Sequence, residues 1–244
     1  MAHLEYSEVA LQKVREDRLL IDQVDLWLYE EIAPYLGQRI LEIGCGLGNF
    51  ARHLTDRELY VGTDTSPDSI AHVTKMYSPH PNVHFHVADA TSNRFAQFAR
   101  YNLDTVFSLN VFEHIQDDVS ALRNAKRVLR PGGRLILVVP AHDCLYGTID
   151  RAIGHHRRYS KQRMASAFHE LGLTCITQKY INALGALGWF VNGRVLKQEV
   201  PPSGQLRLFN GLVPMLKRFE RTVNVPFGVS LMAVARKDHA DAKG

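Results

Sequence analysis

Five short stretches with apolar centres constrain this chain most strongly. They are "RILEIG" (39–44), "ELYVGTD" (58–64), "NVHFHVAD" (82–89), "LDTVFSLN" (103–110) and "RLILVVP" (134–140). Strands with such continuous apolar centres belong to sheets buried on both faces, and parallel pairing requires a right-handed crossover between neighbours. The sequence between them supplies crossovers. A helix is expected from Asn49 to about Leu54, another over "PDSIAHVTKMY" with Ser66 as N-cap, and an amphipathic one over "DDVSALRNAKRVL" (117–129). The turn signal "RPGG" (130–133) stops the last of these. Upstream, about Leu4 to Tyr35 reads as helix, with Leu19, Leu20, Ile21, Val24, Leu28 and Ile32 near helical spacing and Pro34 at its end. Downstream come a helix from Ser160 to about Leu171 and strands at 173–181 and 228–237. The expected fold is a doubly wound α/β domain with a seven-stranded, mostly parallel sheet whose last strand is antiparallel. One domain spans 1–244: an N-terminal helical cap (1–36), a core (37–183 and 228–237) and a helical insertion or lid (184–227).

Composition removes several functions. The chain has 244 residues, 45% of them hydrophobic and 22% charged, which suits a soluble globular protein. Cys45, Cys144 and Cys175 follow no metal-ligand spacing, so a reduced, cytoplasmic protein without a metal site is expected. The first twenty residues contain no apolar segment of the secretory kind, and no apolar run reaches membrane-spanning length. The net charge of +4 comes with no arginine-rich tract or aromatic nucleic-acid signature, which argues against a nucleic-acid partner.

The first strand runs into "GCGLGNF". A strand, a glycine turn and then a helix form a nucleotide-binding arrangement, because glycine lets backbone amides approach a ligand closely. Asp64, at the end of the next strand, is suited to accept from ribose hydroxyls. A dinucleotide fold places an acid there as well. The glycines, however, fall as G-x-G-x-G (Gly44, Gly46, Gly48), and Asn49 holds the place of the last glycine of the dinucleotide fingerprint. Asp89, ending the third strand, can accept from an adenine amino group. No lysine or arginine directly follows the glycines to meet a phosphate. A cationic, phosphate-free adenosine ligand suits these surroundings better than an anionic dinucleotide.

These residues resemble a known family. "ILEIGCGLGNF", "VGTD", "VADAT", "LNVFEHI" and "VLRPGGRLILVVP" are similar, in order and spacing, to the motifs of the class I S-adenosylmethionine-dependent methyltransferases, over about Arg39 to Pro140. The resemblance implies a Rossmann-like fold, S-adenosylmethionine as cofactor and methyl transfer to an O, N or C atom of a small-molecule acceptor. It places the amino-acid end of the cofactor near Gly44, Gly46 and Gly48, with Glu42 and Cys45 in the same set. It places ribose on Asp64, adenine near Thr65, Asp89 and Ala90, and the sulfonium near Asn110. An NAD-dependent oxidoreductase and a non-catalytic adenosyl-binding module stay open as alternatives.

Past the fourth strand, Glu113 and His114 stand where the family holds its sulfonium. His114 suits a base or an orienting group, and equally a packed loop residue. Glu113 suits a substrate contact or a cap for the helix after Asp117. The loop "AHDCLYGTIDRAIGHHRRYS" (141–160) gathers further polar groups. His155 and Tyr159 join His114 as candidate catalytic residues, and Tyr146, His156 and Arg158 join Glu113 as candidate substrate contacts. The competing expectation is that the loop arginines pair with Asp143, Asp150 or Glu170 and fix the loop. A metal site from His142, Asp143, Asp150, His155 and His156 ranks below that, since the spacing matches no template. His84 and His86 share one strand face and read as structural. The insertion carries Trp189, Phe190, Phe209 and Phe219 among Arg194, Lys197, Arg207, Lys217 and Arg218. It suits a lid or a homodimer face ahead of a peripheral membrane contact or a cap over a lipid-like acceptor.

Overall fold

The apolar stretches become a sheet whose strand order reverses in the middle. In the computed structural model, which describes residues 22–223 and 225–238, the strands are β1 (Arg39–Ile43), β2 (Leu59–Asp64), β3 (Val83–Val87), β4 (Leu103–Leu109), β5 (Leu129–Pro140), β6 (Leu173–Ile181) and β7 (Ser230–Lys237). Their order is β3-β2-β1-β4-β5-β7-β6. β1 pairs in parallel with β2 and β4, β2 with β3, and β4 with β5. The last strand runs antiparallel, so the sheet is mixed as expected. Successive strands step outward on one side of β1 and then return to its other side as β4. Such a reversal leaves a crevice at the carboxyl ends of the two central strands, and ligands of open α/β sheets bind there.

The helices are α1 (Asp22–Ile32), α2 (Pro67–Met76), α3 (Asp118–Val128), α4 (Thr148–Ala152), α5 (Lys161–Glu170), α6 (Ala183–Phe190) and α7 (Ser203–Thr222). Ser66 caps α2 by accepting from Ser69 N at 3.2 Å, as its position predicts. Three local readings need correction. Residues 49–54 form turns with a short 3-10 segment (Ala51–His53) and no α-helix. Asp117 caps α3 itself, accepting from Ser120 N at 3.0 Å, so the helix needs no cap from Glu113. "RPGG" does not precede β5 but lies within it. The pairing of β5 with β4 slips between Leu103 and Thr105, and Gly132 takes a φ of 78° in that irregularity. Of the N-terminal helical reading, 1–21 lies outside the described residues, and α1 covers part of the remainder.

The described residues cluster into two units. The first holds Ile32–Val138, Lys161–Gln178 and the residues from Ala233 on. Its core is the sheet itself, with Ile40, Leu41, Tyr60, Val106, Phe107, Leu135 and Ile136 wholly enclosed. Burial of this much β-branched and aromatic surface is the main stabilising contribution. Within it lies one polar pair. The Tyr60 hydroxyl donates to the Glu42 carboxylate, and both side chains are buried. Burial, with the Glu42 charge beside it, holds the Tyr60 phenol well above its ordinary pKa.

The second unit holds the described residues up to Glu31, then Val139–Ser160 and Lys179–Met232. Here α1 and α7 run side by side in the same direction. Asn210 donates to Asp22 at 2.7 Å at one end, and Lys217 and Arg221 each reach Glu30 at 2.7 Å at the other. The buried Glu220 accepts from Asn182 N at 2.9 Å and Ala183 N at 2.8 Å, which closes the start of α6. Tyr60→Phe should lower the unfolding free energy by about 1.5–3 kcal/mol, the range for hydrogen bonds to charged groups. Urea denaturation of the two proteins checks this.

Candidate functional site

The glycine turn folds as it does because of what stands behind it. Gly44, Gly46 and Gly48 all have left-handed φ, at 77°, 50° and 78°. At Gly44 a Cβ would stand 2.4 Å from Val111, so both the conformation and the space demand glycine. Gly46 differs, because nothing lies within 4 Å of its would-be Cβ. The space beside its Cα is open, while its N–H is taken up by Asp64. The turn is pinned to β2. Gly44 N and Cys45 N both donate to Thr63 O, at 2.7 and 2.9 Å. The Asp64 carboxylate accepts from Gly46 N on one oxygen and from Ser66 N on the other, both at 2.9 Å. Two carboxylate oxygens offer about four acceptor positions, so capacity for ribose hydroxyls remains. Tyr77 donates its hydroxyl to Gly48 O at 3.0 Å and holds the far end of the turn.

Cys45 is buried between acids. Burial pushes its thiol far above the ordinary value, and the charges of Glu42 and Asp64 add to the effect. The thiol therefore stays protonated and is no nucleophile. The same two charges mark this pocket as electronegative, with no basic side chain paired to either Asp64 or Asp89 among the described residues.

Asp89 and Ala90 follow β3. One Asp89 oxygen accepts from Thr91 N and from the Thr91 hydroxyl, both at 2.8 Å, which makes a tight local turn. Asn124 on α3, a buried side chain, donates to Ala90 O at 2.8 Å and Ser92 O at 3.0 Å. It fixes the Asp89 loop from beneath. Sequence reasoning missed Asn124, because its partners stand more than thirty positions earlier and no local spacing points to them. Thr65 is exposed beside Asp64.

Asn110 ends β4 at a φ of 54°, with its N–H donated to Val138 O at 2.8 Å. Left-handed backbone in a non-glycine residue costs of order 1 kcal/mol or more and gathers at functional positions. The 3-10 turn Phe112–His114 follows, with Glu113 wholly buried and His114 exposed. The carboxyl ends of β1, β2, β3 and β4 thus bring together Glu42, the three glycines, Cys45, Asp64, Thr65, Asp89, Ala90, Asn110, Glu113 and His114 within the first unit.

The loop 141–160 belongs to the second unit, and Asp150 organises it. One Asp150 oxygen accepts from His155 Nδ1 and Arg158 Nε, each at 2.8 Å. The other accepts from Gly147 N at 2.9 Å and Trp189 Nε1 at 3.0 Å. Burial alone would raise the Asp150 pKa. The His155 hydrogen bond, the Arg158 and His155 charges and the Trp189 bond outweigh it and leave the carboxyl below its ordinary value. Arg158 is 1% exposed, donates also to Ala141 O at 2.9 Å and lies 5.1 Å over the Trp189 ring. Its guanidinium is committed to this frame, as the arginine-pairing alternative expected. Tyr146 donates its hydroxyl to His155 O at 2.8 Å. Tyr159 is buried, with its backbone bridged to Ala141. His155 is buried, and His156 is half-buried. Of the histidines and acids in this loop, Asp150 and His155 meet each other, with the Arg158 guanidinium on the same carboxylate oxygen.

Asp150→Asn should destabilise the protein by about 3–5 kcal/mol, because it leaves the buried Arg158 charge uncompensated. The sign with pH follows from the lowered pKa. The Asp150 contribution is complete above roughly pH 4 and is lost as pH falls through the lower folded-state value. The wild-type acid limb of stability should therefore flatten in Asp150→Asn, which thermal melts between about pH 2 and 6 would register.

Residues 41–137 match the family described as methyltransferase domain, which is under half of this chain. A ubiquinone biosynthesis O-methyltransferase of Aeromonas salmonicida is 28% identical over 112 residues, which cover 46% of this chain and 47% of that protein. A tRNA U34 carboxymethyltransferase of Hahella chejuensis is 27% identical over 233 residues, covering 86% of this chain and 66% of that one. The chain thus spans about half to two-thirds of the length of these relatives. Among solved structures, a chain of the Haloferax volcanii complex of the Trm112 methyltransferase activator with a methyltransferase superposes with a TM-score of 0.64 at 20% identity. That superposition covers 92% of this chain and 94% of the other.

Proposed function

We propose that this chain, whose residues 41–137 match the methyltransferase domain family, binds S-adenosylmethionine at the carboxyl ends of β1 to β4 and transfers the methyl group to an oxygen, nitrogen or carbon atom of a small molecule. The observation that carries this reading is the Asp64 carboxylate braced against Gly46 N and Ser66 N beneath an open glycine turn. Bound there, the cofactor supplies an electrophilic methyl on a sulfonium and departs as a neutral thioether.

The chain's own residues then have separable tasks. Gly44, Gly46 and Gly48 shape the turn that takes the amino-acid end of the ligand, with the open space at Gly46. Asp64 accepts from ribose hydroxyls, and Thr65, Asp89 and Ala90 border the adenine. Glu42 and Asp64 favour a cationic ligand over an anionic dinucleotide by charge alone. Asn110, in its strained conformation, presents a side-chain amide near the reacting centre. Holding the methyl and its acceptor in line accounts for most of the acceleration required, on the order of 7–11 kcal/mol. Where the acceptor must lose a proton, each unit offers its own candidates: His114 with Glu113 in the first, and His155 and Tyr159 with Tyr146 and His156 in the second. We assign Arg158 to the Asp150 frame and not to the acceptor. An oxygen acceptor is favoured first, by the name of the O-methyltransferase relative.

Calorimetry with S-adenosylmethionine, its demethylated product and NAD tests the cofactor. The first two should bind and NAD should not. Asp64→Ala should weaken S-adenosylmethionine by about tenfold or more, the loss of one or two charge-assisted hydrogen bonds. Unchanged affinity in Asp64→Ala would exclude this site. On a panel of phenol, amine and carbon-acid acceptors, His114→Ala or His155→Ala should lower kcat; full turnover in both removes them as bases.

A further inference from the structure

The segment 183–223 of the second unit exposes apolar side chains in register with its helices. On α6 and the π-turn that continues it (Val191–Val195), Leu184, Leu187, Val191 and Val195 are 39%, 60%, 37% and 60% exposed. Their spacing of three, four and four residues puts them on one helical face. On α7, Leu208, Met215 and Phe219 are 69%, 65% and 58% exposed. They stand seven and eleven residues apart from Leu208, close to two and three turns of about 3.6 residues, and form a second stripe. Val213 and Glu220, both buried, mark a different side of α7 as the one packed inward. Both helices therefore bury one face and show another apolar face to solvent. A cavity of about 350 Å³ lies in the same unit, with Leu145, Ala186, Leu187, Phe190 and Phe227 in its wall. Leu187 and Phe190 belong to both the wall and the exposed surface. Contiguous apolar surface of this kind on a monomeric protein marks an interaction site, and each stripe is continuous along its own helix.

Charge identifies the occupant. Arg194, Lys197, Arg207 and Arg218 are exposed in this segment, and Glu199 is the one exposed acid among its described residues. Arg207 and Arg218 are three turns apart and flank the Leu208–Phe219 stripe on one side. A self-complementary dimer face needs cations met by anions across it, and this face has almost no anions to offer. Apolar stripes rimmed by arginine and lysine fit the headgroup region of an anionic bilayer. No helix among the described residues is long and apolar enough to cross a membrane, so the contact is with the surface.

We propose that the segment 183–223 docks this protein on anionic lipid bilayers through the stripes of α6 and α7, with the cavity beside Leu187 and Phe190 taking an acyl chain. All these residues lie in the unit without the glycine turn, so docking stands independently of methyl transfer.

Co-sedimentation of the full chain with two vesicle types tests this, one of phosphatidylcholine alone and one containing about one part in three phosphatidylglycerol. The protein should pellet with the anionic vesicles, weakly or not at all with the neutral ones, and less as salt is raised. The triple variant Leu208→Gln, Met215→Gln, Phe219→Gln should reduce the bound fraction by about tenfold or more. Because those positions are exposed, its melting temperature should stay near that of the parent. Arg207→Gln with Arg218→Gln should remove most of the salt dependence while leaving the apolar stripes intact. Protein that stays in the supernatant with anionic vesicles overturns the proposal. So does equal binding to both vesicle types. A parent dimer that becomes monomeric in the triple variant also overturns it, since the face then belongs to a second copy.

Discussion

One carboxylate, that of Asp64, ties two turns of the first unit into a single rigid edge. It ends β2, and the parallel register sets Thr63 beside Ile43, so the side chain reaches Gly46 N on the neighbouring turn and Ser66 N on its own. A glycine turn left to itself would sample many conformations, and that entropy would have to be lost on binding. Here it is lost on folding. Thr63 O holds the first two amides of the turn and Tyr77 its last glycine. Asp89 and Asn110 are set by neighbours of the same kind: the Asn124 amide under one loop and the Val138 carbonyl behind the other.

The second unit uses the same physics for a different end. Asp150 accepts from an imidazole, a guanidinium, an indole and a backbone amide, and so keeps its charge in a buried place. A density of histidine, arginine and tyrosine in one loop reads equally well as a substrate wall or as a loop that holds itself together. The two differ only in whether the polar atoms face each other. For Arg158 they do. Its companion His155 gains a fixed ring orientation from the same carboxylate, and that makes it serviceable to any chemistry it meets.

The insertion is informative in the opposite way. Its composition, apolar and basic together, allows a lid, a dimer face or a membrane contact. The helices α6 and α7 bury little and leave regular apolar stripes outward, with arginines at the margin.

How much could be read in advance follows from how local each signal was. The strands, the cap at Ser66, the positive-φ glycines and the positions of Asp64, Asp89 and Asn110 at strand ends were legible, because hydrophobic runs and turn chemistry act within a few residues. The 3-10 turn at Ala51–His53, the irregularity at "RPGG" within β5 and the role of Asn124 were not, because each depends on a partner brought up by the sheet. By itself the sequence determined the doubly wound sheet, since periodicity acts without long-range contacts, and its glycine spacing and acids favoured a cationic adenosine ligand over a dinucleotide. Only the tertiary structure decided which polar side chains face each other and which apolar ones face water. Burial and pairing are properties of the packed whole, and a residue's type carries no record of what will lie beside it.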